Sequence, residues 1–297
     1  MSRLCFSSLS SHADTAPKLE QFQARDGQTI SYRAYESAKK NTAIVLLHGS
    51  SAHGEYLHPL AERLKSVGQV YVPNIRGHHG SGNVRGDCSY LGQLEDDFAD
   101  LISHFSLRDK NIIVVGHSSG GGLAIRLAGG IYGQFINGFV LLSPAIPTAP
   151  TMREGTAGGW CKPSIWKIVL ISLLNFFGIR GFNHANVIHF KRPPEQCDGT
   201  EILDYSFNLN TSMHPRLPYK KDIEALKGRS LVIIGAEDEA NDPTQFPRVM
   251  QESASIQVIE GVKHLDIVQN DVVGDMIAAW IEKISKPTTP KRLIQIQ

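Results

Sequence analysis

The sequence is poor in cysteine and has no excess of charge of either sign. Its four cysteines, Cys5, Cys88, Cys161 and Cys197, lie far apart and form no C-x-x-C pair, which argues against a zinc site and against a disulfide-rich secreted scaffold. The 30 Lys and Arg residues are balanced by 29 Asp and Glu residues, for a formal charge of +1, so no basic surplus favours nucleic acid or an anionic membrane as a partner. We therefore expect a cytoplasmic protein with reduced thiols that does not bind nucleic acid.

Long apolar runs and a secretory signal are also missing. The longest apolar run, residues 165–177, is interrupted by Lys167, Ser172 and Asn175 and falls short of the roughly 20 residues that a transmembrane helix needs. Residues 1–19 are rich in Ser and small residues but have neither the apolar core nor the cleavage pattern of a signal peptide. They are expected to form a disordered leader, and no transmembrane segment is expected.

Short runs of β-branched and other apolar residues recur along the chain, separated by stretches with helical spacing. Such runs are typical of strands that are buried on both faces of a parallel sheet. The predicted strands are residues 43–47, 70–72, 111–115, 138–142, 231–234 and 255–259. The predicted helices are residues 55–67, 91–105, 118–130, 245–253 and 271–284. This alternation predicts a doubly wound, mostly parallel α/β sheet with helices on both faces, preceded by an antiparallel hairpin around Asp26-Gly27.

The alternation of strand and helix stops between residues 144 and 218. Pro, Gly and aromatic residues cluster there around one strongly apolar segment. We predict that residues 144–218 form a helical cap, inserted into a core made of residues 20–143 and 219–286, with residues 287–297 as a tail. Because the active sites of doubly wound sheets lie at the carboxyl ends of the strands, a cap inserted after a strand would cover the site.

The strongest motif is Gly116-His117-Ser118-Ser119-Gly120, which directly follows a predicted strand and opens a predicted helix. In a strand-to-helix elbow the nucleophile has a strained backbone, and the residues two before and two after it must be small. Gly116 and Gly120 meet that need. The helix amino terminus favours developing negative charge. We predict Ser118 as a nucleophile and the backbone N–H of Ser119 as an oxyanion donor.

A second motif, His48-Gly49-Ser50, ends the first parallel strand. A loop at this place can present a second oxyanion N–H, which we expect from Ser50, while Gly49 lets the backbone approach the substrate closely. His48 is expected to hold the loop by hydrogen bonds rather than to take part in the reaction.

The general base is expected late in the chain, in the loop after the last strand, where His264 stands. Its place after the serine and the acid fits the order of an elbow-type triad. The loop after the preceding strand offers four carboxylates, Glu237, Asp238, Glu239 and Asp242, and one buried carboxylate is enough to hold the imidazole in the right tautomer. We predict Asp238 as the acid, with Glu237 or Asp242 as alternatives.

With these residues in place, the chain resembles the α/β-hydrolase superfamily and, more narrowly, the capped lysophospholipase and monoacylglycerol-lipase-like serine hydrolases, over about residues 28–284. The resemblance rests on His48-Gly49, on Asn74-Ile-Arg76-Gly77-His-His-Gly80-Ser81-Gly82, on the elbow at Ser118, on Gly235-x-x-Asp238 and on Gly261-x-x-His264.

The resemblance implies an α/β-hydrolase fold and a two-step acyl transfer without metal or cofactor. His264 would take the proton of Ser118, an acyl-enzyme would form, and water would release the acid. The implied substrate is a small carboxylic ester, with lipid and lysophospholipid esters included.

The apolar segment 164–177 of the predicted cap is apolar nearly all round. Such a segment is either a helix packed between cap and core or the wall of an acyl-binding channel. In the second case Trp166, Phe176 and Phe177 would line the channel.

Two other functions fit the same fold. A peptidase would need acidic residues in the cap to bind a free amine, and Glu154, Glu195, Asp198, Glu201 and Asp204 are available. A pseudo-hydrolase that only binds a small ligand would need no reactive contact between Ser118 and His264. The sequence gives no indication of the oligomeric state.

Overall fold

The structure, a computed structural model, describes residues 4–6, 12 and 14–285, and most of them belong to regular elements. The strands are β1 (Glu20–Gln23), β2 (Thr29–Tyr35), β3 (Thr42–Leu47), β4 (Gln69–Pro73), β5 (Asn111–His117), β6 (Gly138–Leu142), β7 (Cys161–Pro163), β8 (Asn186–Phe190), β9 (Asp204–Ser206), β10 (Ser230–Gly235) and β11 (Ser255–Ile259). The helices are α1 (His58–Leu64), α2 (Gln93–His104), α3 (Ser119–Ala128), α4 (Glu154–Gly159), α5 (Ile165–Phe176), α6 (Phe207–Ser212), α7 (Lys220–Glu224), α8 (Phe246–Met250) and α9 (Asp271–Ser285).

Eight strands form one sheet in the order β1-β2-β4-β3-β5-β6-β10-β11. The β1–β2 and β2–β4 pairs are antiparallel, and the pairs from β4 to β11 are parallel. The amino-terminal hairpin and the mostly parallel, doubly wound sheet predicted from the sequence are confirmed.

The sheet is buried on both faces, as its continuous apolar strands require. In β3, Ala43, Val45 and Leu47 pack on one face with residues of α2 and α3, while Ile44 and Leu46 pack on the other with residues of α1 and α9. Since side chains alternate along a strand, one short apolar run serves two helix layers.

The carboxyl ends of the parallel strands lie along one edge of the sheet, where four loops meet. At this edge Leu47 of β3 is paired with Gly116 of β5, and Gly235 of β10 with Ile259 of β11. The loops that follow these strands carry the predicted oxyanion, nucleophile, acid and base residues.

Between β6 and α7 the chain leaves the sheet, in the region where the cap of residues 144–218 is expected. This inserted segment contains α4, α5 and α6, together with a three-stranded antiparallel sheet in the order β7-β8-β9. The inserted segment thus contains a small sheet in addition to the helices expected there. Each of these strands has only three to five residues, which makes them hard to see in the sequence. No helix in the described part of the chain is long and apolar enough to cross a bilayer.

Residues predicted as leader and tail fall largely outside the described part of the chain, which leaves out 287–297 entirely. Leu4 and Phe6 are described, and both are buried in a small apolar cluster with Ala157, Ala240 and Leu265. These two side chains are thus packed against the protein.

Candidate active site

Ser118 lies in the sharp turn between β5 and α3. Its φ of 55° and ψ of −120° fall in a region that residues other than glycine rarely adopt, which is the strained geometry of a nucleophile elbow. A Cβ atom at Gly116 would collide with the carbonyl oxygen of Gly120, and one at Gly120 would collide with that of Leu47. Only glycine lets the chain turn back on itself at these two positions.

A chain of hydrogen bonds joins Ser118 to His264 and Asp238. The Ser118 Oγ atom lies 3.0 Å from His264 Nε2, and His264 Nδ1 lies 3.0 and 2.9 Å from the two carboxylate oxygens of Asp238. Because an ionised carboxylate only accepts hydrogen bonds, His264 Nδ1 carries the proton. His264 Nε2 is then free to accept the hydroxyl proton of Ser118, which is the arrangement that activates a serine.

The charge states of Asp238 and His264 are set by burial and by the attraction between the two side chains. Burial by itself raises the pKa of Asp238. The facing His264 imidazole and the hydrogen bonds that the Asp238 carboxylate accepts outweigh burial and lower this pKa to about 2. Burial lowers the pKa of His264, yet the charge of Asp238 and, to a smaller extent, of Glu239 raises it above the ordinary value. Asp238 is therefore ionised at neutral pH, and it stabilises the imidazolium form of His264.

Of the four carboxylates in the loop after β10, Asp238 is the one that is hydrogen-bonded to the ring of His264. Its Oδ1 atom also accepts the backbone N–H groups of Ala240 and Asn241, at 2.8 and 2.7 Å. Glu239 accepts the backbone N–H of His264 at 3.0 Å, while Asp242 accepts that of Thr244. Glu237 is exposed.

The backbone N–H group of Ser50 lies on the loop after β3, and that of Ser119 belongs to the first residue of α3, next to Ser118. Neither group has a hydrogen-bond acceptor among the residues that the structure describes. The two side-chain hydroxyls bond to each other, which ties the loop after β3 to the start of α3. Two N–H donors without partners next to a serine suit a developing oxyanion.

A second hydrogen-bonded chain links the loop after β3 to the base. The Gly49 N–H donates to Tyr56 Oη at 2.7 Å, Tyr56 Oη lies 2.8 Å from His117 Nδ1, and His117 Nε2 lies 3.0 Å from the carbonyl oxygen of His264. Since a carbonyl only accepts, His117 donates through Nε2 and accepts from Tyr56. Burial, together with the neighbouring His264, lowers the pKa of His117 to about 3, so this ring stays neutral. It links the loop after β3 to the loop that carries His264.

Both ring nitrogens of His48 form hydrogen bonds to the backbone. Nδ1 lies 2.9 Å from the carbonyl oxygen of Gly49, and Nε2 accepts the N–H of Ile75 at 2.9 Å. Burial lowers the pKa of His48 well below its ordinary value. The ring therefore holds the loop and does not contact Ser118.

The pocket at Ser118 is narrow and mostly apolar. Its volume is about 20 Å³, which is room for about one water molecule. Its walls beyond the hydrogen-bonded residues are Leu4, Phe6, Ala52, Trp160, Arg192 and Leu265. The ring of Phe6 lies 5.0 Å from that of Trp160, with the Arg192 guanidinium 5.6 Å from the Phe6 ring centre. Leu4 and Phe6 thus form part of the wall of the pocket at Ser118.

The structure does not bring the predicted channel residues Trp166, Phe176 and Phe177 to this pocket. Their side chains are 67%, 83% and 68% exposed. The buried side of α5 is the side of Ile171, which packs with Val187 and other apolar residues of the inserted segment, so the three aromatic rings face outward.

Several residues of the site are not evident in the sequence. Tyr56 and His117 show their role only through contacts between distant loops, although His117 stands inside the elbow motif. Phe6 and Trp160 lie in segments without a recognisable motif.

The chain resembles known proteins in sequence and in fold. The model of a family described as "Alpha/beta hydrolase family" matches residues 44–275. The monoacylglycerol lipase of Mycolicibacterium smegmatis is 32% identical over 106 residues, which are 35% of this chain and 38% of that protein. Lipase LipV of Mycobacterium tuberculosis is 31% identical over 108 residues, 35% of this chain and 37% of LipV. The chain thus spans about a third of the length of these curated relatives.

Solved structures match over nearly the whole chain but at low identity. A soluble variant of the monoglyceride lipase of Saccharomyces cerevisiae superposes with a TM-score of 0.68 at 16% identity, covering 94% of this chain and 99% of that one. The monoacylglycerol lipase of Paleococcus ferrophilus gives 0.62 at 21% identity, with coverage of 86% and 98%. At such identities the likeness establishes the fold alone.

Proposed function

Because the chain belongs to the alpha/beta hydrolase family, we propose that it is a serine hydrolase that cleaves carboxylic esters. The resemblance to monoacylglycerol-lipase-like hydrolases predicted from the sequence is confirmed by the matches. The observation that carries the proposal is the hydrogen-bonded chain from Ser118 through His264 to Asp238, set on a strained elbow at the carboxyl edge of the sheet.

In the proposed first half-reaction the Ser118 Oγ atom attacks the ester carbonyl carbon while its proton passes to His264 Nε2. The carbonyl oxygen becomes an oxyanion that the N–H groups of Ser50 and Ser119 stabilise. When the tetrahedral intermediate collapses, the imidazolium returns the proton to the leaving alkoxide, and an alcohol departs from the acyl-enzyme.

In the second half-reaction water takes the place of the alcohol. His264 removes a proton from the water, whose oxygen attacks the acyl carbon. Collapse of the second intermediate breaks the bond to Ser118, which recovers its proton as the carboxylic acid leaves. No cofactor or metal enters these steps.

Neither alternative function is supported by an observation at the site. None of the described residues that line the pocket at Ser118 is acidic, whereas a peptidase would need a carboxylate there for a free amine. Ser118 and His264 are within hydrogen-bonding distance. A pseudo-hydrolase that only binds a ligand would be favoured if these two side chains were too far apart to form a hydrogen bond.

We further propose that the acyl group is apolar and that Phe6 limits its length. The walls of the pocket beyond Ser118 are apolar apart from Arg192, and the present volume admits no chain unless side chains move. Phe6→Ala would remove the ring between Trp160 and Arg192, and we expect the preferred p-nitrophenyl ester to become longer by several carbons. The measurement is kcat/KM for the series from acetate to palmitate.

The matched control for this prediction is Trp166→Ala. It removes a larger aromatic side chain, but one on the inserted segment that faces outward and does not line the pocket, so the order of preference among the esters should not change. The role of Phe6 would be contradicted if Phe6→Ala left the order of preference among the esters unchanged. It would also be contradicted if Trp166→Ala changed the preferred chain length by as much as Phe6→Ala. An absence of ester hydrolysis in every protein would count against the proposed function itself.

The charge state of His264 predicts the pH dependence of the reaction. His264 must be neutral to act as a base, and Asp238 and Glu239 raise its pKa above 6.5. We therefore expect kcat/KM to fall on the acid side with a midpoint above 6.5. Glu239→Gln keeps an acceptor for the His264 N–H but removes a negative charge, so the midpoint should move to lower pH.

Glu237→Gln is the control for the pH profile, because it removes an exposed charge from the same loop. The profile of this variant should match that of the unmodified protein. Two results would show that His264 does not govern the loss of kcat/KM at acid pH as proposed. One is a midpoint at or below pH 6.5 in the unmodified protein, and the other is a midpoint that does not change in Glu239→Gln.

A further inference from the structure

The helix α5 exposes an apolar surface that the proposed hydrolysis does not use. We call this the α5 surface. It comprises Ile165, Trp166, Val169, Leu170, Leu173, Phe176, Phe177, Ile179 and Phe182, each of which is at least 46% exposed. Scattered apolar side chains are normal on protein surfaces, but a contiguous patch of this kind marks a binding surface.

The α5 surface is a regular feature of a packed helix. Its members on α5 recur at spacings of three and four residues, which places them along one stripe. The opposite side of the helix is anchored, because Ile171 packs with Val187 and Phe207 and the Ser164 N–H donates to the carbonyl of Val187 at 2.7 Å. None of the residues that the structure describes covers the outward stripe.

The segment that contains the α5 surface is cationic. Between Glu154 and Glu195 the sequence contains no acidic residue, while five basic residues fall in that stretch, namely Lys162, Lys167, Arg180, Lys191 and Arg192. Arg192 is paired with Glu201 and lies in the wall of the pocket at Ser118, which leaves the four others to face an anionic partner. The overall charge of +1 thus hides a local separation of charge. Asp87 and Asp204, which approach the segment from outside the acid-free stretch, are engaged with His184 and His189.

The dimensions of α5 decide how an apolar partner would meet it. With 12 residues the helix is about 18 Å long at 1.5 Å per residue, well short of the roughly 30 Å hydrocarbon core of a bilayer. A helix with one apolar face and basic residues beside it lies in the plane of a membrane surface. A lipid surface with anionic headgroups matches both the apolar stripe and the cations.

We propose that the α5 surface docks the protein on an anionic lipid surface, with α5 in the membrane plane. A second copy of the chain fits less well, because a two-fold contact would bring the same basic residues of both copies together. The β7 strand connects Trp160, in the wall of the pocket at Ser118, to the start of α5. Docking would therefore hold the pocket close to the lipid.

The experiment uses the full chain carrying Ser118→Ala, so that binding is measured without any hydrolysis of the lipid. Co-sedimentation is measured with vesicles of phosphatidylcholine alone and with vesicles that contain phosphatidylglycerol and phosphatidylcholine at 3:7. We expect binding to the anionic vesicles to be stronger by about tenfold or more, and to weaken in 0.5 M salt as the Debye length shortens.

Two matched pairs of substitutions locate the binding surface. Trp166→Ser with Phe176→Ser should weaken binding to the anionic vesicles by about tenfold or more. Ile131→Ser with Leu217→Ser removes apolar side chains that are each 74% exposed elsewhere, and should leave binding unchanged. Circular dichroism and thermal unfolding identify any variant that has lost its fold.

Three results would overturn the proposal: equal binding to both kinds of vesicle, equal losses in the two pairs of variants, and a stable dimer in sedimentation velocity that only the α5 pair dissociates. The last of these would make the α5 surface an interface between copies. None of these readouts depends on whether Ser118 is the nucleophile, so failure here is distinct from failure of the proposed function.

Discussion

Replacing Ser118 by alanine is expected to lower kcat for p-nitrophenyl ester hydrolysis by about 10⁴-fold or more. The alanine variant keeps the fold, the N–H groups of Ser50 and Ser119 and the His264–Asp238 pair, but it has no atom that can form the acyl-enzyme. What remains is the acceleration from oxyanion stabilisation and substrate binding alone. The measurement is steady-state hydrolysis by the unmodified protein and the variant, purified in parallel.

Ser119→Ala is the matched control, since the elbow contains two adjacent serines. It removes the hydroxyl that bonds to Ser50 but keeps the backbone N–H, and we expect a loss of less than about tenfold. A fluorophosphonate reagent should label the unmodified protein and Ser119→Ala on Ser118 and should leave Ser118→Ala unlabelled. Comparable turnover by Ser118→Ala and the unmodified protein would exclude Ser118 as nucleophile.

The core of the fold is predictable because it depends on local patterns. The predicted strands 138–142 and 255–259 coincide with β6 and β11, and the other predicted strands agree within one or two residues. Apolar β-branched runs between helical stretches have few other ways to bury their side chains. Chain order then places the loops after β3, β5, β10 and β11 at one edge of the sheet, which is why the positions of Ser118 and His264 follow from the sequence.

The inserted segment is less predictable because its structure depends little on local sequence patterns. The α5 sequence is apolar on nearly every side, so its periodicity does not reveal which face is buried, and its aromatic rings prove to face outward. Leu4 and Phe6 become buried through contacts with residues more than 150 positions away along the chain. No local pattern encodes such contacts.

The identity of the acid after β10 is predictable in part, less so than the core of the fold but more so than the inserted segment. The sequence narrows the choice to one loop but leaves Glu237 and Asp242 as alternatives, because the direction of each side chain depends on the backbone of the loop. In the structure Asp238 is buried against His264, and two backbone N–H groups hold its carboxylate in place. That geometry favours Asp238, and the choice can be tested by substitution.

Asp238→Asn is expected to lower kcat by about 10⁴-fold while the fold is retained. An asparagine amide can donate to His264 Nδ1, which moves the imidazole proton to Nε2. In that tautomer the ring donates to Ser118 and no longer accepts its proton, so the serine is not activated. The buried imidazolium also loses its nearest counter-charge, which is the largest of the causes that raise the pKa of His264.

Asp242→Asn and Glu237→Gln are the matched variants, each removing one charge from the same loop. Asp242 accepts from Thr244, and Glu237 is exposed, so both variants should keep kcat within about threefold, as is usual for surface substitutions. A loss confined to Asp238→Asn would separate the orientation of His264 from a general effect of loop charge. A comparable loss in Asp242→Asn would mean that the loop rearranges around the substrate and that the acid contact seen here is not the one used in the reaction.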